Sequence, residues 1–242
     1  SYPMYNGAIG MTYEQGSSDL AIETDEGDTL KLADAIAHHY TTGMSTIEVA
    51  SVNNERMLNE FSKYFDDAVN NPKAKYKTFV IRGDNHPDKM KNLQEMLDRH
   101  SINYGSGTTR KPIAGFNYQA NATEDFSINA GDIVISTYQP KAVLLQSLFE
   151  PNTYASTNQT YDITAWSVPY MLDLDAFATE EKVDVQEAAF SPQQRNVIVV
   201  GKPAAYLAKW EILEDAKFLA AILKSGIKLR YATVEFTVNG ST

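Results

Sequence analysis

Four histidines and no cysteine limit the chemistry available to this 242-residue chain. Without a thiol, the chain can form no disulfide, no thiolate zinc site, no iron–sulfur cluster and no cysteine nucleophile. The serine elbow Gly-x-Ser-x-Gly is absent, and so are the two glycine-rich patterns that bind nucleotide phosphates. The sequence therefore indicates neither elbow-type hydrolysis nor a nucleotide cofactor.

Metal binding depends on where the histidines lie. His38 and His39 are adjacent on a predicted helix, so their side chains point about 100° apart and cannot hold the same ion. The segment Asp84-Asn85-His86-Pro87-Asp88 places potential ligands directly after a predicted strand, where α/β proteins tend to have their sites. The simpler interpretation, which we favour, is a polar strand-to-helix turn capped by Asp84 or Asn85.

Acidic side chains are concentrated in the segment from Glu14 to Asp34, which holds seven carboxylates and one lysine. The 12-residue ligand spacing of a calcium loop is missing, so a solvated acidic turn is the better interpretation. The whole chain has 31 acidic and 21 basic residues and a net charge of −10, which argues against nucleic acid as a partner. No apolar run approaches the roughly 20 residues that span a bilayer.

Two further segments have chemistry to consider. The aromatic and amide-rich stretch Tyr154 to Tyr170 contains Trp166 and could line a groove for a sugar or a peptide; core packing plus a helix start is the alternative. Gly105-Ser106-Gly107 is predicted to be a flexible loop. His100 ends a predicted helix, where a cation suits the helix dipole, and needs no further role.

Short strands and two long helices are predicted for the first 71 residues. The strands are Ala8–Tyr13 and Asp19–Glu23, and Asp25–Asp28 is the turn that follows. Thr29 can cap the first helix, and a second helix runs from Ile47 to about Val69. Gly43 is expected to bend or interrupt the first helix, and Pro72 stops the second. The first helix has the spacing of a buried apolar stripe, formed by Leu30, Ala33, Ile36, Ala37 and Tyr40.

Strands and helices alternate after residue 71, which is typical of an α/β domain with a mainly parallel sheet. The predicted strands are Lys77–Ile81, Ile102–Tyr104, Asp132–Ile135, Asn196–Val200 and Ile227–Val234. The predicted helices are Pro87–His100, one opened by Gln139-Pro140, and Glu211–Lys224, which ends at Gly226. Strand, helix and strand from Lys77 to Tyr104 would make a βαβ unit.

The most distinctive string is Tyr2-Pro3-x-Tyr5-x-Gly7-x-Ile9-Gly10-Met11-Thr12-Tyr13-Glu14-Gln15. It resembles the strand of bacterial zinc carboxypeptidase-like proteins that carries the catalytic glutamate. The resemblance covers about the first 70 residues and implies that Glu14 matches that glutamate. A carboxylate in this role takes a proton from the attacking water and passes it to the leaving amine.

The remainder, with Gln139-Pro140-Lys141, Leu148-Phe149-Glu150-Pro151 and Tyr161–Trp166 as markers, is similar to the domain that follows in those proteins. That domain resembles the flavodoxin-like fold of class I glutamine amidotransferases, whose nucleophile is a cysteine. The resemblance therefore implies residues 1–71 as the end of a catalytic domain and 72–242 as an accessory α/β domain without amidotransferase activity.

The family holds zinc with a His-x-x-Glu pair and a later histidine, all upstream of the catalytic glutamate. None of them fits into the residues before Glu14, and neither Tyr2 nor Tyr5 can take the role of the family's mobile tyrosine. We therefore expect a piece of a longer exported protein, secreted or periplasmic. Its peptide or protein substrates and its zinc belong to the parent, and the piece alone is expected to be inactive.

Two other functions remain open. The first is a non-enzymatic α/β binding module whose segment Tyr161–Tyr170 recognises a peptide, a glycan or a partner protein. The second is an α/β hydrolase of unknown type that uses Asp84 and His86.

Overall fold

The computed structural model describes residues 2–14, 19–109, 111–152, 167–188, 205–208 and 210–237. The chain begins with a 3-10 helix, Tyr2–Asn6, and continues to a small antiparallel hairpin of β1 (Ala21–Glu23) and β2 (Thr29–Lys31). This confirms the strand predicted within Asp19–Glu23 and the turn after it. The strand predicted over Ala8–Tyr13 is wrong, because those residues form no regular secondary structure.

Two consecutive helices, α1 (Leu32–Val52) and α2 (Asn54–Asn70), follow the hairpin. The helix start predicted at Thr29 is wrong, because that residue pairs with Glu23 in the hairpin. The chain breaks helical geometry at Asn53 and continues through Gly43 without interruption. The end of α2 just before Pro72 agrees with the prediction.

The main sheet has five strands in the order β5-β4-β7-β3-β6, and every neighbouring pair is antiparallel. Its strands are β3 (Thr78–Ile81), β4 (Ile113–Asn117), β5 (Ala122–Phe126), β6 (Ile133–Ser136) and β7 (Ala176–Thr179). The protein is therefore a mixed α/β structure, as predicted, but the prediction of a mainly parallel, flavodoxin-like sheet is wrong.

The sheet is antiparallel although helices connect its strands, because no two strands joined by a helix are neighbours in the sheet. α3 (Pro87–Arg99) leads from β3 to β4, and these strands point the same way, but β7 lies between them and pairs antiparallel with both. Likewise α4 (Ala142–Phe149) and the short α5 (Val168–Met171) lead from β6 to β7, with β3 between. Each unit is a split β-α-β, so helices join strands of one direction and the sheet is still antiparallel.

Several predicted elements are confirmed and others are not. β3, α3, β6 and α6 (Leu213–Lys224) form where the pattern indicated, and the helix predicted at Gln139-Pro140 begins slightly later as α4. Residues 102–104 and 227–234 are not strands, so the predicted βαβ unit is wrong. The predicted strand Asn196–Val200 lies outside the described residues.

Alternation along β3 sends its side chains into two apolar clusters, one on each face of the sheet. Phe79 and Ile81 pack with the buried faces of α3 and α4 on one side. Val80 joins a smaller cluster on the other face, completed by Ile113, Phe126, Ile128, Val134 and Phe177. All four residues of β3 are buried, which explains its short continuous apolar sequence.

Candidate functional site

Glu14 lies on an exposed segment without regular secondary structure that follows the 3-10 helix. The neighbouring Tyr13 fixes this segment to α1, since its hydroxyl lies 2.6 Å from the Thr46 hydroxyl and also donates to the sulfur of Met11 at 3.3 Å. The Glu14 carboxylate faces solvent. Among the described residues, no group of three or more His, Asp or Glu side chains is arranged to hold a metal ion.

The 3-10 helix docks the start of the chain onto three helices. The Tyr64 hydroxyl of α2 donates to the carbonyl of Tyr5 at 2.9 Å, Lys141 just before α4 donates to the Asn6 side chain, and the Tyr2 hydroxyl lies 3.0 Å from His100 Nδ1 at the end of α3. The contacts of Lys141 and His100 cross the predicted domain boundary at residue 71, whereas that of Tyr64 lies within residues 1–71. That boundary itself stays a prediction.

Gly7 makes this docking possible. Its φ is +83°, in the left-handed region that favours glycine, and a Cβ there would lie 3.2 Å from ring atoms of Phe61, Tyr64 and Phe65. Gly7 of the distinctive string thus has a local packing role, independent of any chemistry at Glu14.

The four histidines are divided between α1 and the two ends of α3. His38 and His39 are exposed on α1. His86 caps α3, because its Nδ1 accepts a hydrogen bond from the backbone N–H of Asp88 at 3.2 Å. The prediction of a polar strand-to-helix turn is confirmed, although the capping residue is His86 rather than Asp84 or Asn85. His100 closes α3 and contacts Tyr2 instead of acting alone on the helix dipole.

The most organised polar group lies at the end of the sheet where β3 stops. The β3–β6 register pairs Ile81 with Ile133, and the β3–β7 register pairs Ile81 with Ala176. One position further, the same registers place Arg82 between Asp132 and Asp175. We call Asp132, Arg82 and Asp175 the charged row.

Within the charged row, Arg82 and Asp132 form an ion pair with an N–O distance of 2.9 Å, in which Asp132 is buried and Arg82 is half-buried. Asp132 also accepts from the backbone N–H groups of Gly83 and Asn129, at 2.9 and 3.0 Å. The guanidinium lies over the ring of Phe177, 4.6 Å from its centroid. Each oxygen of Asp132 is therefore satisfied, and the arginine is held in one orientation.

Asp175 completes the charged row in a different way. Its backbone N–H donates to the Asn85 side chain, and its carbonyl accepts from that side chain, both at 2.9 Å. Burial raises the pKa of the Asp175 carboxyl, opposed by the charge of Arg82 and reinforced by Asp84, Asp132 and Glu124. The charged row thus contains two different carboxylates. Both oxygens of Asp132 accept hydrogen bonds, whereas burial disfavours the charged form of Asp175.

Sequence reasoning identified Asp84 and His86 in this region but missed Arg82, Asp132 and Asp175. A signal was present, because each of the three directly adjoins a short apolar strand segment. Their meeting depends on antiparallel register, whereas the predicted sheet was parallel.

The other sequence candidates have structural roles where they are described. Gly105 pairs with Val134 and Ser106 with Gln186, so the predicted flexible loop is in fact bridged to two segments. A Cβ on Gly105 would lie 2.1 Å from the carbonyl oxygen of Gln186, which explains the glycine. In the stretch Tyr154–Tyr170, only residues 167–170 are described, and Trp166 lies outside the described residues.

Tyr170 is the part of that stretch that reaches the surface. It is 42% exposed and packs edge-on against Tyr118, with ring centroids 5.1 Å apart. Tyr118 is buried and donates its hydroxyl proton to the carbonyl of Phe149. Burial raises the pKa of both phenols, most strongly that of Tyr118. Met171, 60% exposed, continues the surface beside Tyr170.

No protein-family model, no curated protein and no solved structure matches this chain. Across the described ranges, none of the helices is both long enough and apolar enough to cross a membrane.

Proposed function

We propose that this chain is the C-terminal part of a zinc carboxypeptidase-like peptidase, in which Glu14 is the general base and acid of peptide-bond hydrolysis. The proposal rests on the resemblance of the string Tyr2–Gln15. The observation that supports it is the position of Glu14 on an exposed segment without regular secondary structure that Tyr13 fixes to α1. A carboxylate in that position is accessible to a water molecule and to a substrate, as the role requires.

The described residues do not fit a catalytic zinc site, since they contain no group of metal ligands. In this proposal the zinc ligands belong to the longer parent. Glu14 contributes proton transfer, and the contacts of Gly7 and Tyr13 position the segment that carries it. The charged row has no part in the reaction, because Asp132 is buried and the Arg82 guanidinium is held by the Asp132 carboxylate and the Ser127 carbonyl.

Replacement of Glu14 in the full parent protein tests the proposal. Glu14→Gln should lower kcat for a peptide substrate by orders of magnitude and leave the zinc content unchanged, because the amide cannot accept the water proton. Glu23→Gln is the matched control, an exposed carboxylate of the same acidic segment on β1. Unchanged turnover in the Glu14→Gln parent would remove the assignment.

This chain by itself provides a second test. It should neither bind zinc stoichiometrically nor cleave peptides, since its described residues offer no metal ligand group. Tight zinc binding by isothermal titration, or peptidase activity from purified chain, would contradict the proposal.

A non-enzymatic binding module for a peptide, a glycan or a partner protein is the second candidate. The exposed Tyr170 and Met171, supported from beneath by Tyr118, favour it, because aromatic faces on a rigid base suit ligand contact. A thermal-shift screen with peptides and oligosaccharides should find a ligand that raises Tm in the wild type but not in Tyr170→Ala. Equal shifts in both proteins would exclude this surface.

A further inference from the structure

The sequence contains two Asn-Gly pairs, Asn6-Gly7 and Asn239-Gly240, and the first lies where the start of the chain docks. In an Asn-Gly pair the backbone nitrogen reaches the asparagine side chain most easily, because glycine has no Cβ to obstruct the approach. Asn239 lies outside the described residues. Asn6 is half-buried at the end of the 3-10 helix. A pair of high intrinsic reactivity is thus held in a folded segment.

The reaction that such a pair undergoes is deamidation, which needs only groups of this chain and water. The backbone nitrogen of Gly7 attacks the side-chain carbonyl carbon of Asn6, a new N–C bond forms, and the bond from that carbon to Nδ2 breaks. The leaving nitrogen takes up the amide proton of Gly7 and departs as ammonia, so a cyclic imide remains. Water opens the imide at either carbonyl and gives aspartate or isoaspartate, in which the backbone is one methylene longer.

The docked conformation opposes this attack. The Gly7 N–H donates to the carbonyl of Met4 at 3.3 Å, so the nucleophile is engaged inside the 3-10 helix. The side-chain amide of Asn6 is held as well, because its Nδ2 donates to the carbonyl of Tyr2 at 3.1 Å and its oxygen accepts from Lys141. Attack requires rotation of the Asn6 backbone, which breaks these hydrogen bonds.

The start of the chain can detach without unfolding the rest. Single hydrogen bonds hold it to α2, to the end of α3 and to the residue before α4. Residues 8–12 are exposed and form no regular secondary structure. Tyr13 keeps the far end on α1, a helix with no buried residue, contrary to the buried stripe expected from the sequence. A local opening therefore frees residues 2–12.

We propose that Asn6 is a self-modification site, at which the chain converts its own asparagine to isoaspartate when residues 2–7 detach. Docking keeps the conversion slow, since only the open state reacts and its population sets the rate. Isoaspartate prevents redocking, because the longer backbone displaces Gly7 from its close position against three aromatic rings and from its bond to Met4. Release of the start of the chain thus becomes irreversible. This inference does not depend on the proposed peptidase function.

Peptide mapping of the full chain, incubated in mildly alkaline buffer, tests the site. Aspartate and isoaspartate should accumulate at residue 6 at least about tenfold more slowly than in a synthetic peptide of residues 1–10, because several docking hydrogen bonds must open first. Asn239 in the same digest is the internal reference. No conversion at Asn6 in either sample would overturn the proposal, and equal rates in both would overturn the protection by docking.

Variants of the docking contacts test the gating. Tyr64→Phe removes the bond to the Tyr5 carbonyl without touching the reacting amide, so conversion at Asn6 should be about fivefold faster, the factor for one ordinary hydrogen bond. Tyr206→Phe is the matched control, since Tyr206 is 73% exposed, and its rate should equal that of the wild type. Equal rates in Tyr64→Phe and Tyr206→Phe would overturn the gating. Urea denaturation verifies that both variants are folded.

Lys141→Met separates protection from activation. Loss of the lysine contact loosens docking, so conversion at Asn6 should again be faster. The Lys141 ammonium could act only in the opposite sense if it stabilised the charge that develops on the Asn6 oxygen during attack in the docked state. Slower conversion in Lys141→Met would therefore overturn the proposal that the open state reacts.

Limited proteolysis of an aged sample tests the irreversible release. Fragments cleaved from the first residues should be enriched in isoaspartate at position 6 relative to the uncleaved chain. Asn6→Asp is the matched control, because it keeps the backbone length and its carboxylate accepts from Lys141; it should be as well protected as the wild type. Equal proportions of isoaspartate in cleaved and uncleaved chains would overturn the release step.

Discussion

The guanidinium of Arg82 lies 2.9 Å from the carboxylate of Asp132, one register position beyond the last paired residues of β3 and β6. This pair links two strands of the sheet at the point where their backbone ladder ends. Its side chains are 16% and 5% exposed, so neither charge has bulk water to compensate for the loss of the other.

Asp132→Ala should therefore lower the free energy of unfolding by about 3–5 kcal/mol, since it removes the carboxylate that balances the largely buried charge of Arg82. Urea denaturation measures this. The control is Glu60→Ala, which breaks the exposed Arg56–Glu60 pair on α2 and should change stability by less than about 1 kcal/mol. The double variant Arg82→Met, Asp132→Leu should be less destabilised than Asp132→Ala; the opposite ranking would contradict this account.

Asp175 should make the fold less stable at neutral pH than at acidic pH. Its pKa is raised in the folded protein, so the folded state binds the proton more readily than the unfolded chain. Above the raised pKa its contribution is unfavourable, and this penalty disappears as the pH falls toward the ordinary aspartate value. Asp175→Asn should thus be more stable than the wild type at about pH 7 and equal to it at low pH.

Asp173 provides a control, because its pKa is shifted in the opposite direction to that of Asp175. Hydrogen bonds from Lys89 and Gln119 lower the pKa of its carboxyl, so its contribution is favourable at neutral pH and is lost as the pH falls. Asp173→Asn should destabilise at neutral pH and have no effect at low pH. Urea denaturation of both variants at several pH values measures these effects. If both variants changed the free energy of unfolding in the same direction at neutral pH, both assignments would be contradicted.

Gly7→Ala should release the start of the chain from α2. The added methyl meets three aromatic rings at 3.2 Å and a φ of +83°, so both packing and backbone strain oppose it. Gly27→Ala is matched in backbone strain, with φ at +85°, but its Cβ meets open space. It should cost about 1 kcal/mol. Limited proteolysis should cleave the first residues faster only in Gly7→Ala; equal protection would argue against tight docking.

Asn85→Ala should destabilise by about 2 kcal/mol, because the Asn85 side chain makes three hydrogen bonds that hold the turn after β3 to the residue before β7. Asn59→Ala on the exposed side of α2 should stay within about 0.5 kcal/mol of the wild type. Comparable losses from both variants would show that the turn does not depend on this side chain.

The sequence predicts those helices and strands whose own residues form a clear pattern. β3 is a short apolar run, α3 begins with a proline and has a periodic apolar face, and Pro72 ends α2. β4, β5 and β7 were missed. None of them has the apolar pattern of a strand. β4 contains Gly115, β5 is exposed until Phe126, and β7 has only four residues, two of them alanines.

Tertiary relationships could not be obtained from these patterns. Spacing identified an amphipathic face on α1 but not whether another part of the chain covers it. Likewise, Arg82, Asp132 and Asp175 come together only once the antiparallel registers are known. A parallel arrangement would have separated them.

The split arrangement of the sheet also determines the order in which the protein can be assembled during synthesis. β7 fills the gap between β3 and β4, and Thr78 pairs with Thr179, which leaves the ribosome roughly a hundred residues later. Until then, β3 can pair only along its β6 side. The nascent chain thus carries an open central slot with unpaired strand edges, the feature that makes folding intermediates prone to aggregation.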